Sequence, residues 1–379
     1  MPDISNLVDL RDRIFSQPDP AESDLLDLLI KLETEARQDA LVVPPVLAIG
    51  DTPRNTLASA PGLRCKAEIR TTHIPTAIAH VLLEESNPLI TVTLQNQTEN
   101  SVVTCRVRTW VEGYSATAVK TVAVRRALGE ISVSLLPTFF PQAIRRLREI
   151  TAATVHVAID QIDGEVLSES TGRVWLLPQT SVILEARDPA TGKRTGYKRY
   201  LAAYVTPNDA DVLALLRKAA ALHPKGQLAS DPAASPEIVR SEVDAIYRAV
   251  KNQNIAYVNS TLVFLPDEGL SGQRVRLPRE SLRAGSANCI DGVLLMASLL
   301  EAASLNPALV FLPAHAVVAW ETAQDSGRWQ YIETTLLGTG DFEAAVKSGN
   351  KLAAKYDGAK LLEQYSLRSL RKSGLYPLA

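Results

Sequence analysis

The sequence predicts a multidomain α+β protein: an N-terminal helical segment, an all-β, sandwich-like middle, and a C-terminal α+β domain in which a cysteine-bearing helix packs on an antiparallel sheet. Three observations carry this reading. The 379 residues are enough, at about 100 to 200 residues per domain, for two or three cores. Short runs rich in Val, Ile and Thr, separated by turn residues, fill the middle of the chain. Helical periodicity resumes after a stretch rich in Pro, Ser and Ala at 224–236. The predicted divisions are 1–63 (helix and linker), 64–205 (β-sandwich), 206–235 (helix and linker) and 236–379 (α+β).

In the first division Ser23 caps a helix over 23–41, where Leu25, Leu28, Leu29 and Leu32 recur at spacings of three and four and give one apolar face. The stretch 42–63, rich in Pro, Thr and Asn, reads as a connection. Strands are expected at 89–94, 102–111, 118–124, 131–135, 155–159 and 182–184, with polar turns at 96–100, Asp163-Gly164 and Thr191-Gly192 and a helical turn at 141–148. Cys105, Trp110 and His156 fall inside these runs, where packing explains them. A helix over 208–222 carries Val212, Leu215 and Leu216 on one side. Pro236 then opens a second helix, with Ile238, Val239, Val243, Ile246 and Val250 at helical period to about Lys251.

Composition excludes several function classes. Forty basic against forty-two acidic residues leave a net charge of -2, without the basic footprint of a nucleic-acid-binding protein. Arg145-Arg146-Arg148 and Arg368-Arg371-Lys372 read as solvated helix faces. Residues 1–15 lack the apolar core of a signal peptide, and no run of 18 apolar residues occurs. The expectation is therefore a cytoplasmic protein with no membrane contact. Cys65, Cys105 and Cys289 are odd in number and far apart, which fits neither a disulfide framework nor zinc-ligand spacing. No metal and no cofactor are expected.

Chemistry concentrates around Cys289. The chain reads Gly285-Ser286-Ala287-Asn288-Cys289-Ile290-Asp291-Gly292, then Val293, Leu294, Ala297 and Leu300 at spacings that bury one face of a helix. Asn288 is a good N-cap and Asp291 an acid in the first turn, so Cys289 opens the helix. A thiol there meets free backbone N–H groups and the positive end of the helix dipole, which favour the thiolate. The competing reading is a small buried hydrophobe, as most isolated free cysteines are. Downstream, 308–312 and a run opening at His315 are strand-like, and a polar tip at 324–328 leads to Trp329-Gln330-Tyr331-Ile332-Glu333-Thr334-Thr335. A cysteine nucleophile needs an imidazole to take and return its proton, and His315 supplies one. Glu333, on the adjacent antiparallel strand, can orient the ring, a part Glu321 or Asp325 can also play. Gly338-Thr339-Gly340 is a turn before a helix starting near Asp341, since a lone Gly-x-Gly without Lys does not make a phosphate loop.

In order and context these residues resemble the transglutaminase-like superfamily of papain-related cysteine enzymes. The shared pattern is a Gly and a small residue before Cys, an Asp two after it, a His opening a strand, then Trp followed by Asp-x-Thr; here these are Gly285, Cys289, Asp291, His315, Trp329 and Glu333-Thr334-Thr335. The usual third residue is Asp, and this chain carries Glu, one methylene longer. The flanks, Gln273-Arg274-Val275-Arg276-Leu277-Pro278 and the stretch from Ser366 to Leu378, are similar to a bacterial subset of these domains. The resemblance covers about 236–378. It implies a catalytic triad of Cys289, His315 and Glu333, and, by analogy with papain-like sites, Gln273 as an oxyanion or substrate contact beside the better-placed backbone N–H of Cys289. The implied activity is thiol-dependent acyl transfer on an amide bond of a protein or peptide substrate, as a peptidase when water accepts the acyl group and a transglutaminase when an amine does. The alternative is a non-catalytic scaffold whose β-sandwich and degenerate transglutaminase-like fold bind a partner protein.

Overall fold

The computed structural model describes residues 62–83, 88–187, 194–229, 234–258 and 270–378, so the helix expected over 23–41 and almost all of the connection at 42–63 lie outside the described residues. The chain is mixed α+β, and its contacts divide it into two compact units. Among the described residues one unit comprises 62–187 with 270–275, and the other 194–258 with 276–378. No helix among them is long and apolar enough to cross a membrane.

The first unit is built from strands: β1 (Leu63–Ile69), β2 (His73–Pro75), β3 (Ile90–Asn96), β4 (Val102–Val111), β5 (Ala118–Arg125), β6 (Glu130–Leu135), β7 (Thr151–Gln161), β8 (Val166–Leu177) and β9 (Ser181–Arg187). One sheet has the order β1-β3-β6 and another β2-β8-β7-β4-β5. Alternation decides which side chains turn inward. Ile90, Val92 and Leu94 of β3 are buried, as are Cys105, Val107 and Val111 of β4, and residues from both sheets form one hydrophobic cluster that includes Cys65 and Cys105. A short helix at Pro141–Arg145 occupies the expected helical turn.

Strands β1, β2 and β8 have no counterpart among the expected runs. β8 is the instructive one, because its middle reads Ser-Glu-Ser-Thr-Gly-Arg and lacks the β-branched signature. Neighbours on β7 hold it in register from Thr151↔Leu176 onward, so pairing overrides composition. A Cβ on Gly172 would come 2.3 Å from Ile69 Cδ1, so the glycine that weakens the strand signal is also what lets β1 approach.

The second unit contains α1 (Ala210–Leu222), α2 (Pro236–Lys251), α3 (Pro278–Ala284), α4 (Cys289–Ala302), β10 (Pro307–Leu312), β11 (His315–Glu321), β12 (Trp329–Ile332), α5 (Phe342–Gly358), β13 (Glu363–Ser366) and α6 (Leu367–Lys372). The strands form an antiparallel sheet in the order β12-β11-β10-β13. One face packs on α5, where Tyr356 and Leu352 join Ala308, Val310, Val317 and Ala319. The alternate residues of β10 and β11 meet α4 on the other face. Covered on both sides, β10 is buried at all six positions.

Helix α4 is buried all round rather than on the single face its spacing suggested, because α1, α2 and α3 pack on the side away from the sheet. Caps set the helix starts: Asp209 accepts from the Asp211 N–H (3.0 Å), Pro236 occupies the first turn of α2, and Asp341 accepts from the Ala344 N–H (2.8 Å). Arg371 departs from the solvated face predicted for it. Its guanidinium binds Glu301 at 2.9 Å and the carbonyls of Ala202, Val205 and Leu375, tying the end of the chain to α4.

Candidate active site

The first turn of α4 is fixed by a reciprocal cap. Asn288 Oδ1 accepts from the Asp291 N–H at 2.8 Å, and Asp291 Oδ2 accepts from the Asn288 N–H at 3.2 Å. Cys289 is thereby held at the first helical position, half-buried, where its N–H has no intrahelical acceptor. Asp291 does more than cap. Fully buried, it also accepts from the Arg276 N–H (2.7 Å) and from the Arg276 guanidinium (3.0 Å), which fastens the segment before α3 to the start of α4. Burial pushes the Asp291 carboxyl up, and the bonds from Arg276 and Asn288 oppose that push. Sequence reasoning gave Arg276 only a place in a flanking segment, since no periodicity links residues 15 apart.

His315 opens β11 directly after a two-residue hairpin, Pro313-Ala314, set by the Leu312↔His315 pair. Ala314 has φ 52°, in the left-handed region that an L side chain disfavours by roughly 1–2 kcal/mol. The backbone strain therefore lies immediately before the imidazole. Register then sets what the ring can reach. The pair Val318↔Ile332 puts Val317 opposite Glu333, so His315 lies on the diagonal, and the long glutamate side chain spans it. His315 Nε2 is 2.6 Å from Glu333 Oε2. The Cys289 side chain is the other group close enough to the ring to act on its pKa.

Electrostatics follow from these contacts. Burial by itself lowers the affinity of His315 for a proton, but the hydrogen bonds and charges of Cys289 and Glu333 outweigh it and raise its pKa to about 10. Both neighbours favour the protonated ring. Burial raises the Glu333 carboxyl, yet the bond and charge of His315 and the bonds from Thr335 prevail, and its pKa is lowered. Glu333 is 4% exposed, so these bonds act with little screening by water.

Glu333 follows the last residue of β12 and caps a 3-10 turn over Thr334–Gly338. The three residues of Glu333-Thr334-Thr335 divide the work. Glu333 Oε2 holds the imidazole, Thr335 donates from N–H (2.9 Å) and Oγ1 (2.8 Å) to Glu333 Oε1, and Thr334 Oγ1 donates to the Cys289 carbonyl at 3.3 Å. A Cβ on Gly292 would lie 3.1 Å from both Cβ and Oγ1 of Thr334, so the glycine one turn into α4 permits this approach. Tyr247 on α2 donates to the carbonyls of Leu336 (3.1 Å) and Gly340 (3.3 Å) and anchors the rest of the turn.

The other acids considered for the ring are committed elsewhere. Glu321 accepts from Asn306 Nδ2 (2.7 Å) and the Gly327 N–H (2.9 Å), and Asp325 pairs with Arg368 (2.7 Å). Gln273 belongs to the first unit, on the strand Leu270–Arg274, where it pairs with Val182 of β9. Among the described residues, the bonds Asn288–Asp291, His315–Glu333, Thr335–Glu333 and Thr334–Cys289 join residues of the second unit. Among the described residues no group of three or more His, Cys, Asp or Glu side chains is arranged to hold a metal ion. Compared with known proteins, the chain matches no family model and no curated relative.

Proposed function

We propose that the second unit is a transglutaminase-like, papain-related domain that performs cysteine-dependent acyl transfer on an amide bond of a protein or peptide. The observation that carries this reading is a His315 ring held at 2.6 Å by a buried Glu333 and close enough to the Cys289 side chain for it to act on the ring's pKa. Nucleophile, base and orienting acid then stand in line, as this chemistry requires. The first unit, with two sheets around one core, we read as sandwich-like. The three cysteines, all free thiols, fit a reducing compartment such as the cytoplasm.

In the proposed reaction His315 takes the Cys289 proton as the sulfur adds to the amide carbon. The carbonyl electron pair moves onto oxygen, which accepts a hydrogen bond from the Cys289 N–H. The pair returns as the C–N bond breaks, and the leaving amine takes the proton from His315. A thioester remains on Cys289. Water or a primary amine attacks it, gives its proton to His315, and the sulfur departs.

The test is to incubate the protein with a mixture of unfolded proteins, with and without a fluorescent primary amine, beside a Cys289→Ser variant. New peptide termini identify hydrolysis, and amine-labelled glutamine identifies transamidation. Neither product above the level of Cys289→Ser would overturn the proposal.

A further inference from the structure

The carboxylate that orients His315 stands beyond the end of the ladder between its strand and the next. β12 is the last strand in the order β12-β11-β10-β13, and its final rung with β11 is Val318↔Ile332. Glu333 follows that rung and His315 lies before it, so among the described residues no rung between these two strands fixes the distance from carboxylate to ring. The outer side of β12 supplies what the ladder does not. An edge strand leaves every second N–H without a strand partner. Here these are the N–H groups of Tyr331 and Glu333, and α5 takes both. Asn350 Oδ1 accepts from the Tyr331 N–H at 3.0 Å, and the Ala345 carbonyl accepts from the Glu333 N–H at 3.0 Å.

The helix is built to come this close. A Cβ on Gly349 would lie 2.6 Å from the carbonyl carbon and oxygen of Tyr331 and 2.8 Å from the Ile332 nitrogen, so glycine lets the backbone of α5 rest on the backbone of β12. A second tie runs alongside. Arg240 on α2 donates to Gln330 Oε1 (2.6 Å) and to both carboxylate oxygens of Glu343 on α5 (2.8 and 2.7 Å). Glu343 is mostly exposed, so water screens that ion pair. Asn350 is half-buried and grips the main chain itself, two residues before Glu333.

We infer that Asn350 is a positioning residue of this site: by accepting from the Tyr331 N–H it keeps the end of β12 against α5, and so keeps the Glu333 carboxylate within hydrogen-bonding distance of His315. This inference rests on the acyl-transfer reading above. Asn350 touches neither substrate nor the reacting atoms and acts through Glu333. The contact it protects has little slack. At 2.6 Å the bond from ring to carboxylate is short, and a displacement of the strand end by about 1 Å would stretch it past the length of a hydrogen bond. Without the Asn350 oxygen the Tyr331 N–H turns to water, and the end of the strand is free to leave the helix.

The experiment follows the His315 ring by NMR through a pH titration of the full-length chain carrying isotope-labelled histidine, with the signal assigned by its loss in His315→Ala. Iodoacetamide labelling of Cys289 and urea unfolding are measured beside it. In Asn350→Ala the His315 midpoint should fall by about half a unit or more, and Cys289 labelling should slow about fivefold. Asn350→Asp keeps an oxygen where the Tyr331 N–H points and should restore both. Asn350→Leu fills the space and accepts nothing; it should match Asn350→Ala, and takes its place if that variant does not fold. An unmoved His315 midpoint in the Ala and Leu variants would overturn the inference even if urea unfolding came earlier, because the role would then be structural. An equal fall in Asn350→Asp would also overturn it, since the lost acceptor would not be the cause. The acyl-transfer reading fails on a different result, Cys289 of the unsubstituted chain labelling no faster than in His315→Ala, and the His315 midpoint then still decides whether Asn350 places Glu333.

Discussion

The same side chain occurs in two contrasting settings in this chain. In the strand-built unit Cys65 and Cys105 lie inside the hydrophobic cluster, 2% and 0% exposed. Burial pushes the Cys65 thiol up to about 12, with Cys105 adding to the push, and the Cys105 thiol up to about 11, with Asp160 adding to it. In the second unit Cys289 is half-buried at the first position of a helix, beside an imidazole whose pKa is raised. A β-strand in a two-sided core surrounds a thiol mainly with apolar side chains, and its backbone donors are spent on the ladder. A helix start leaves donors free and adds a favourable field. Secondary structure thus decides which cysteine can be a nucleophile before any catalytic partner is added.

The contrast can be broken from the Cys289 side. His315→Ala removes the imidazole beside the sulfur, so alkylation of Cys289 by iodoacetamide near about pH 6.5 should fall by about a hundredfold or more. Cys65 and Cys105 should be unchanged, and timed quenching with peptide mapping reads all three. Glu333→Gln keeps the shape and removes the charge. The rate should fall by about tenfold, and the pH dependence of stability should change with it. His315 has its folded pKa raised to about 10, so its share of stability is present below its ordinary value of about 6.5 and is lost as pH rises through about 10. Glu333 has its value lowered, so its share is present above the ordinary carboxylate value and is lost as pH falls through the lowered one. In Glu333→Gln, denaturant titrations should show an alkaline loss that is smaller and complete at a lower pH, and the acid loss reduced.

A smaller effect sharpens the comparison at the backbone. Gly292→Ala places a methyl 3.1 Å from Thr334, which should cost about 1–3 kcal/mol in urea unfolding. It should also slow Cys289 alkylation about threefold by loosening the Thr334 bond to the Cys289 carbonyl, while the two core thiols keep their protection.

Much of the second unit was legible because its signals are local. Asn288 and Asp291 announce the start of α4, and apolar runs ending at the 313–314 hairpin and the 324–328 tip announce β10, β11 and β12. Cys289, His315 and Glu333 could be picked out of the sequence together because one helix and one hairpin bring them to the same end of one sheet. What stayed hidden needs tertiary contact. The bond from Arg276 to Asp291, that from Tyr331 to Asn350 and the burial of α4 on every side depend on segments that no period connects. The strand β8 was missed because its polar outer face and Gly172 imitate a loop, and only its pairing with β7 makes it a strand. Glu333 ranked equal to Glu321 and Asp325 by residue type alone. Asn306, the Gly327 N–H and Arg368 separate them, by occupying the other two.

The account stands or falls on the reactivity of one sulfur. The intact protein is treated with iodoacetamide at a series of pH values from about 5 to 9, and each cysteine is assayed by mass spectrometry. The account predicts that Cys289 labels first and selectively below about pH 7, with a rate that changes little through neutrality and collapses in His315→Ala, while Cys65 and Cys105 label only on unfolding. Slow labelling of all three cysteines at equal rates, rising together with pH and indifferent to His315, would contradict it.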